Sequence, residues 1–234
     1  MALEARVRDA AALTGDERDQ MFALMETYYR NCDRGHFEQD LRLKDWVILL
    51  TDDGTVAGFS SQRLLRHRVN GSELTVLFSG DTVIHKRRWG SGLLPVTWVR
   101  LVLSLAAADP DRPLYWLLTT KGFMTYRFLP VFFKEYYPRR DTPIPPFERE
   151  LIETLGVGLF PDRFDPQAGV LLSATGAQRL KGGVAEITDK RRDDPEISFF
   201  ERANPGHAEG DELVCIARCD ESNLKPFILR RARR

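Results

Sequence analysis

Residues 73–94 read ELTVLFSGDTVIHKRRWGSGLL and join a β-branched run to an apolar run through two glycines one residue apart, behind two arginines. The first half has strand composition, and a glycine inside it, in Ser79-Gly80-Asp81, predicts a bulge or a close backbone approach that bends the strand midway. The second half opens a helix. From Gly92 to about Ala108 the only polar side chains are Thr97, Arg100 and Ser104, at three- and four-residue spacing, so most of the helix circumference is apolar and buried. Pro95 is tolerated near its start, where a missing N–H has no intrahelical acceptor.

A strand, a Gly-rich turn and a buried helix in series make RRWGSG a candidate anion cradle. The first N–H groups of a helix lack acceptors, and the aligned peptide dipoles leave about half a positive charge there. Gly90 and Gly92 remove side chains that would block phosphate oxygens, and Arg87 and Arg88 add charge at the rim. A plain tight turn is the competing reading. The P-loop pattern is missing, and Pro95 stands where a dinucleotide fingerprint has its third glycine.

Upstream, Thr14 and Glu17 form a capping-box pattern, followed by Met21, Leu24, Met25 and Tyr28 on one helical face. A shorter helix is expected over 35–44, with Phe37 and Leu41 four apart. Two β-rich runs flank Asp52-Asp53-Gly54, and Asn70-Gly71 marks the next turn, giving three antiparallel strands in series. Downstream, 114–118 reads as a buried strand parallel to the third, because a helix lies between them. An aromatic-rich helix is expected over 121–137, a linker at 141–146, a helix over 147–156, and strands at 169–174 and 211–219. The mixed-charge run 188–196 reads as a solvated loop and the basic C-terminus as a mobile tail open to an acidic partner.

The chain has 234 residues, which suits one domain with an elaborated C-terminal part. Its 34 basic and 34 acidic residues cancel, so no global field favours nucleic acid or an anionic membrane, and any anion site must be local. The longest apolar run is too short and too polar to span a bilayer. The first residues are charged and lack the apolar core of a signal peptide, so a cytoplasmic location is expected. Cys32, Cys215 and Cys219 fit a reducing compartment, the last two sharing a strand face. His36, His67, His85 and His207 have no ligand spacing, so no metal is expected, and G-x-S-x-G is missing.

The run Arg87-x-x-Gly90-x-Gly92 after a bulged strand resembles the acyl-donor signature of the GNAT N-acyltransferase superfamily. The order helix–helix–hairpin–strand–helix–strand–helix from Thr14 to Tyr137 is similar to that fold as well. The resemblance implies a mixed α/β sheet, with residues 1–137 as the donor-binding core and 138–234 as an elaboration completing the sheet and the acceptor side of the same unit. It implies acyl-CoA, or the phosphopantetheine of an acyl-carrier protein, as donor. Amides of residues 88–92 would grip the phosphate, Val83, Ile84, Arg87, Arg88, Trp89, Gly90, Ser91 and Gly92 would form the donor site, and residues 81–84 would pair with the pantetheine arm. The acceptor would be an amine of an amino acid or of a Lys/Orn-like peptide side chain. The long C-terminal part resembles the branch that uses medium or long acyl chains; a short-chain acetyltransferase and a non-catalytic module are the alternatives.

Attack of an amine on a thioester needs a neutral amine, hence a general base near the strand split. Asp81 is the first candidate because it follows the bulge, and His85 the second because an imidazole titrates in the right range. Tyr126, early in the helix after the last core strand, is the candidate acid for the leaving thiolate. Phe123, Phe128, Phe132 and Phe133 would wall an apolar tunnel or pack an ordinary core.

Overall fold

The computed structural model describes residues 3–184 and 186–234. The chain runs β1 (Leu3–Asp9), α1 (Gly15–Tyr28), β2 (Tyr29–Arg30), α2 (Arg34–Arg42), β3 (Trp46–Asp52), β4 (Thr55–Val69), β5 (Ser72–Ile84), α3 (Leu93–Ala108) and β6 (Leu114–Thr120). There follow α4 (Phe123–Tyr126), α5 (Phe128–Phe132), α6 (Pro146–Leu159), β7 (Phe164–Asp165), β8 (Val170–Leu171), β9 (Arg179–Leu180), α7 (Asp189–Arg192), α8 (Pro195–Ala203), β10 (Glu212–Arg218) and α9 (Pro226–Ala232). Eight strands form one mixed sheet in the order β1-β3-β4-β5-β6-β10-β8-β7. β1 pairs antiparallel with β3, hairpins join β3, β4 and β5 antiparallel, and the α3 crossover makes β6 parallel to β5. β10 then returns antiparallel to β6.

Strand alternation sorts the core onto two faces. Leu77, Leu114, Trp116, Leu118 and Cys215 pack beneath α3, α4, α5, α8 and α9 on one face, and Cys219, just past β10, joins them. Val47, Leu49, Phe59 and Val83 pack under α1 and α2 on the other, while Val76, Phe78, Tyr115 and Leu117 pack on α6. The expected capping box starts α1: Glu17 N donates to Thr14 Oγ1 at 3.1 Å and Thr14 N to Glu17 Oε2 at 2.8 Å.

Several segments differ from expectation. β1 is not among the expected strands: Leu3, Ala5 and Val7 alternate with Glu4, Arg6 and Arg8 along a sheet edge, and the strand pairs antiparallel with β3. The aromatic stretch after β6 is broken into the single turns α4 and α5, with Phe133 bridged to Leu224 in extended form. Phe123, Phe132 and Phe133 are core residues, so of the four expected tunnel aromatics only Phe128 lines the cavity described below. The charged run 188–196 forms α7 and opens α8, where Asp194 caps and Pro195 takes the first helical position. The basic tail is anchored: α9 buries Ile228 and Ala232, and Arg100 Nε donates to Ala232 O at 2.8 Å. The strand expected at 169–174 shortens to Val170–Leu171.

Candidate functional site

The β4–β5 register slips from Ser60↔Thr82 to Gln62↔Ser79, so Ser61 alone opposes Gly80 and Asp81. This bulge resets the alternation: Val76 and Phe78 before it and Val83 after it lie on the same face, which also turns Asp81 toward α1 and α2. The β5–β6 pairing ends at Ser79↔Leu118, and beyond it the two strands part. A buried polar network holds the fork. Gln62 Oε1 accepts from Ser79 Oγ at 2.7 Å and from Trp98 Nε1 at 3.2 Å, and Gln62 Nε2 donates to Ser60 Oγ at 2.7 Å. Trp116 Nε1 donates to Ser79 Oγ at 2.9 Å, and the Ser60 and Thr82 hydroxyls lie 2.7 Å apart. A buried network with every member bonded is rigid, because each alternative leaves a polar group unpaired in a low dielectric.

His85 N donates to Ala57 O at 2.8 Å, which by alternation turns the polar groups of Val83 toward β4 and those of Thr82 and Ile84 toward the open edge. Trp89 Nε1 takes up the Ile84 carbonyl at 2.7 Å. The fork opens into a cavity of about 910 Å³ whose walls include Asp81, Thr82, Ile84, Trp89 and Gly90 from the strand and turn. Met124, Thr125 and Phe128 line it from one side of the sheet, and Met25, Tyr29, Phe37 and Lys44 from the other. A strap from the C-terminal part crosses it: β9 pairs with β2, and Lys181 N donates to Tyr28 O at 2.8 Å.

The Asp81 carboxylate accepts no hydrogen bond and forms no ion pair among the described residues. Burial first, and then the Asp40 carboxylate, push it up to about 6, while Lys121 and Lys44 pull in the opposite direction. Its charged neighbours are themselves paired: Lys44 with Asp40 at 2.8 Å, and Lys121 with Glu212 at 3.5 Å. Burial works to raise the Glu212 carboxyl, but Lys121, Arg163 and the Thr119 hydroxyl together hold it below its ordinary range. Tyr29 shares this wall, its phenol raised by burial and then by Asp81, and Lys121 Nζ sits 5.8 Å from its ring centroid.

In the turn, the amides of Arg88, Trp89 and Ser91 are spent inside the loop, on His85 O, Lys86 O and Arg88 O. The amides of Gly90, Gly92, Leu93 and Leu94 find no acceptor among the described residues, so the free set is shifted toward the helix from the expected 88–92. Gly90 and Gly92 have φ of 83° and 72°, the left-handed region glycine enters without strain. Arg88 is turned away and paired with Asp52, whereas Arg87 forms no ion pair among the described residues. An unforeseen cation takes part: the Arg231 guanidinium of α9 lies 3.0 Å from where a Gly92 Cβ would sit.

Two expected residues stand elsewhere. His85 caps the turn, its Nδ1 accepting from Arg87 N at 3.3 Å with its ring 6.3 Å from that of Tyr28, and it does not line the cavity. Tyr126 is fully buried among Tyr136, Phe199 and Phe200 and donates to Pro138 O at 3.2 Å. Its phenol is raised far above the ordinary range by burial and then by Cys215, and it too lies outside the cavity wall. Among the described residues no group of three His, Cys, Asp or Glu could hold a metal, and no helix is long and apolar enough to cross a membrane.

No protein-family model matches the sequence, and no curated protein does. Among solved structures, a conserved protein from Enterococcus faecalis V583 described as a probable N-acyltransferase is similar at 14% identity over 56% of this chain and 33% of that one, with a TM-score of 0.43. The GNAT family N-acetyltransferase YhbS from Escherichia coli, solved with CoA, is similar at 19% identity over 55% of this chain and 69% of that one, with a TM-score of 0.39. An aminoglycoside acetyltransferase from an uncultured soil metagenomic sample shares 13% identity over 62% of this chain and 100% of its own, with a TM-score of 0.42. The chain thus spans 33% of the length of the Enterococcus protein. These likenesses are partial, and what the cleft does is read from its own residues.

Proposed function

We propose that this chain is an N-acyltransferase that takes an acyl group from a phosphopantetheine thioester, on CoA or on an acyl-carrier protein, and gives it to an amine. The observation that carries this reading is the parting of β5 from β6 immediately before Asp81, an unpaired carboxylate in a large cavity. The pantetheine arm would lie along the open edge at Thr82 and Ile84, with its phosphates on the free amides of Gly90, Gly92, Leu93 and Leu94. Arg87 and Arg231 supply cations there, while Arg88, Trp89 and Ser91 shape the turn and Val83 anchors its strand.

In the reaction the acceptor ammonium loses a proton to Asp81, and its nitrogen attacks the thioester carbonyl carbon. The tetrahedral oxyanion would be held by an open-edge amide, that of Thr82 being placed for it, an effect often worth about 3 kcal/mol. The carbon–sulfur bond then breaks, the thiolate takes up a proton, and an amide and a free thiol leave. Tyr29, on the Asp81 wall, replaces Tyr126 as the candidate proton donor to the thiolate. A medium or long acyl chain is supported by the apolar stretch of wall at Met124, Phe128 and Leu180.

The test is direct. The protein is incubated with acetyl-CoA or decanoyl-CoA and a panel of primary amines, with thiol release and acylated product followed together. Acylated amine that disappears in Asp81→Asn is expected, with decanoyl preferred. Thiol release without acylated amine refutes the reading, and a preference for acetyl refutes the long chain alone.

A further inference from the structure

Lys44 is a buried ammonium with spare donors. Its side chain is 2% exposed, and Nζ makes one hydrogen bond, to Asp40 Oδ1 at 2.8 Å, while resting 4.8 Å from the centre of the Phe78 ring. An ammonium carries three N–H groups. The other two find no acceptor among the described residues, although Lys44 lines the cavity.

Gly80 keeps this place open. A Cβ there would come within 2.9 Å of Lys44 Nζ and 2.7 Å of Ser61 Oγ, and the Ser61 hydroxyl is itself buried without a partner. The next residue is Asp81, a carboxylate with no donor. Lys44 acts on Asp81 through space, yet the two form no ion pair. One wall therefore holds an anion lacking donors beside a cation with two of its three N–H groups unmet, separated too far to satisfy each other.

We infer that the acceptor is a free α-amino acid, bound with its amine at Asp81 and its carboxylate at Lys44; this rests on the N-acyltransferase reading. A diamine or the side chain of a peptide lysine would bring no carboxylate and would leave Lys44 unmet. The aromatic pair Phe78 and Phe160, with ring centres 5.8 Å apart, flanks the same spot and suits an apolar side chain.

L-phenylalanine, L-phenylalaninamide and phenethylamine serve as matched acceptors with decanoyl-CoA, because only the first carries a carboxylate. Wild type is expected to favour L-phenylalanine in kcat/KM by about tenfold or more, the usual worth of a hydrogen bond to a charged partner. Lys44→Met is expected to erase that preference through KM, and Lys44→Arg to keep part of it. Equal use of all three acceptors by wild type overturns the inference while leaving N-acyl transfer standing. A preference that survives in Lys44→Met overturns the assignment to Lys44. L-phenylalanine binding is also measured by calorimetry without donor: binding that depends on Lys44 supports the zwitterion site even if no acyl group is transferred, and that combination refutes the transfer reading instead.

Discussion

Asp81→Asn should stabilise the protein while ending its activity, and the size of the gain is set by the cavity wall. A carboxyl that sits near 3.8 in the unfolded chain is pushed up to about 6 in the fold, by burial first and then by Asp40 and Glu212, against Lys121 and Lys44. The folded state thus holds this proton more tightly than the unfolded state does. The resulting stability is fully present below the unfolded value and is lost as pH rises through about 6. Two pKa units correspond to about 3 kcal/mol. Removing the ionisable group should recover about that much at pH 8 and about half of it at pH 5, less whatever cavity water screens. Urea unfolding of wild type and Asp81→Asn at both pH values measures the difference. A variant equally stabilised at pH 5 and pH 8, or less stable than wild type at pH 8, would refute the claim that the fold holds a desolvated, unpaired carboxylate there.

In the wild type, kcat/KM should rise with pH through about 6 as Asp81 ionises, and a profile flat from pH 5 to pH 8 would remove it as the base. Gly92→Ala forces a side chain onto a φ of 72° and against Arg231, so a stability loss of about 1–2 kcal/mol and weaker CoA binding by calorimetry are expected; unchanged CoA affinity would remove the phosphate cradle. Gln62→Leu strips the acceptor shared by Ser79 and Trp98 and should cost about 3 kcal/mol in urea unfolding, the desolvation penalty of groups left unpaired. Tyr126→Phe should lose about 1 kcal/mol through its bond to Pro138 O and keep its kcat; a large fall in kcat would return Tyr126 to the chemistry.

The elements readable in the sequence are those whose signal is local. Thr14 with Glu17 marks the start of α1, Asn70-Gly71 the turn into β5, and Gly80 the bulge, because each encodes a backbone state at that position. β1 carries a local signal too, Leu3, Ala5 and Val7 alternating with Glu4, Arg6 and Arg8, but three small or half-exposed apolar residues are a faint one, and the partner that fixes the strand, β3, lies some forty residues away. The site divides in the same way. Asp81 follows from the bulge, whereas Lys44 and Tyr29 reach the cavity only through the packing of α1 and α2 on the sheet. Arg231 reaches Gly92 from the far end of the chain. For Tyr126, a position in sequence after β6 does not say which way a single-turn helix points; here the side chain points into the aromatic core.

The charge arrangement explains why a chain with no net charge can still hold a specific polar site. Burying an ion is costly unless it is paired, so the fold pairs Lys44 with Asp40 and Lys121 and Arg163 with Glu212. Each pair stands beside Asp81, and none includes it. The two lysines keep Asp81 from rising further, and burial first, then the Asp40 and Glu212 carboxylates, keep it from falling to an ordinary value. A carboxylate poised this way changes protonation near neutrality, as a base for an ammonium must, and its vacant acceptor positions are met only when an amine arrives. The bulge makes the arrangement possible, because regular pairing of the same strand, with Gly80 and Asp81 each opposite a residue of β4, would send Asp81 to the opposite face, away from both lysines.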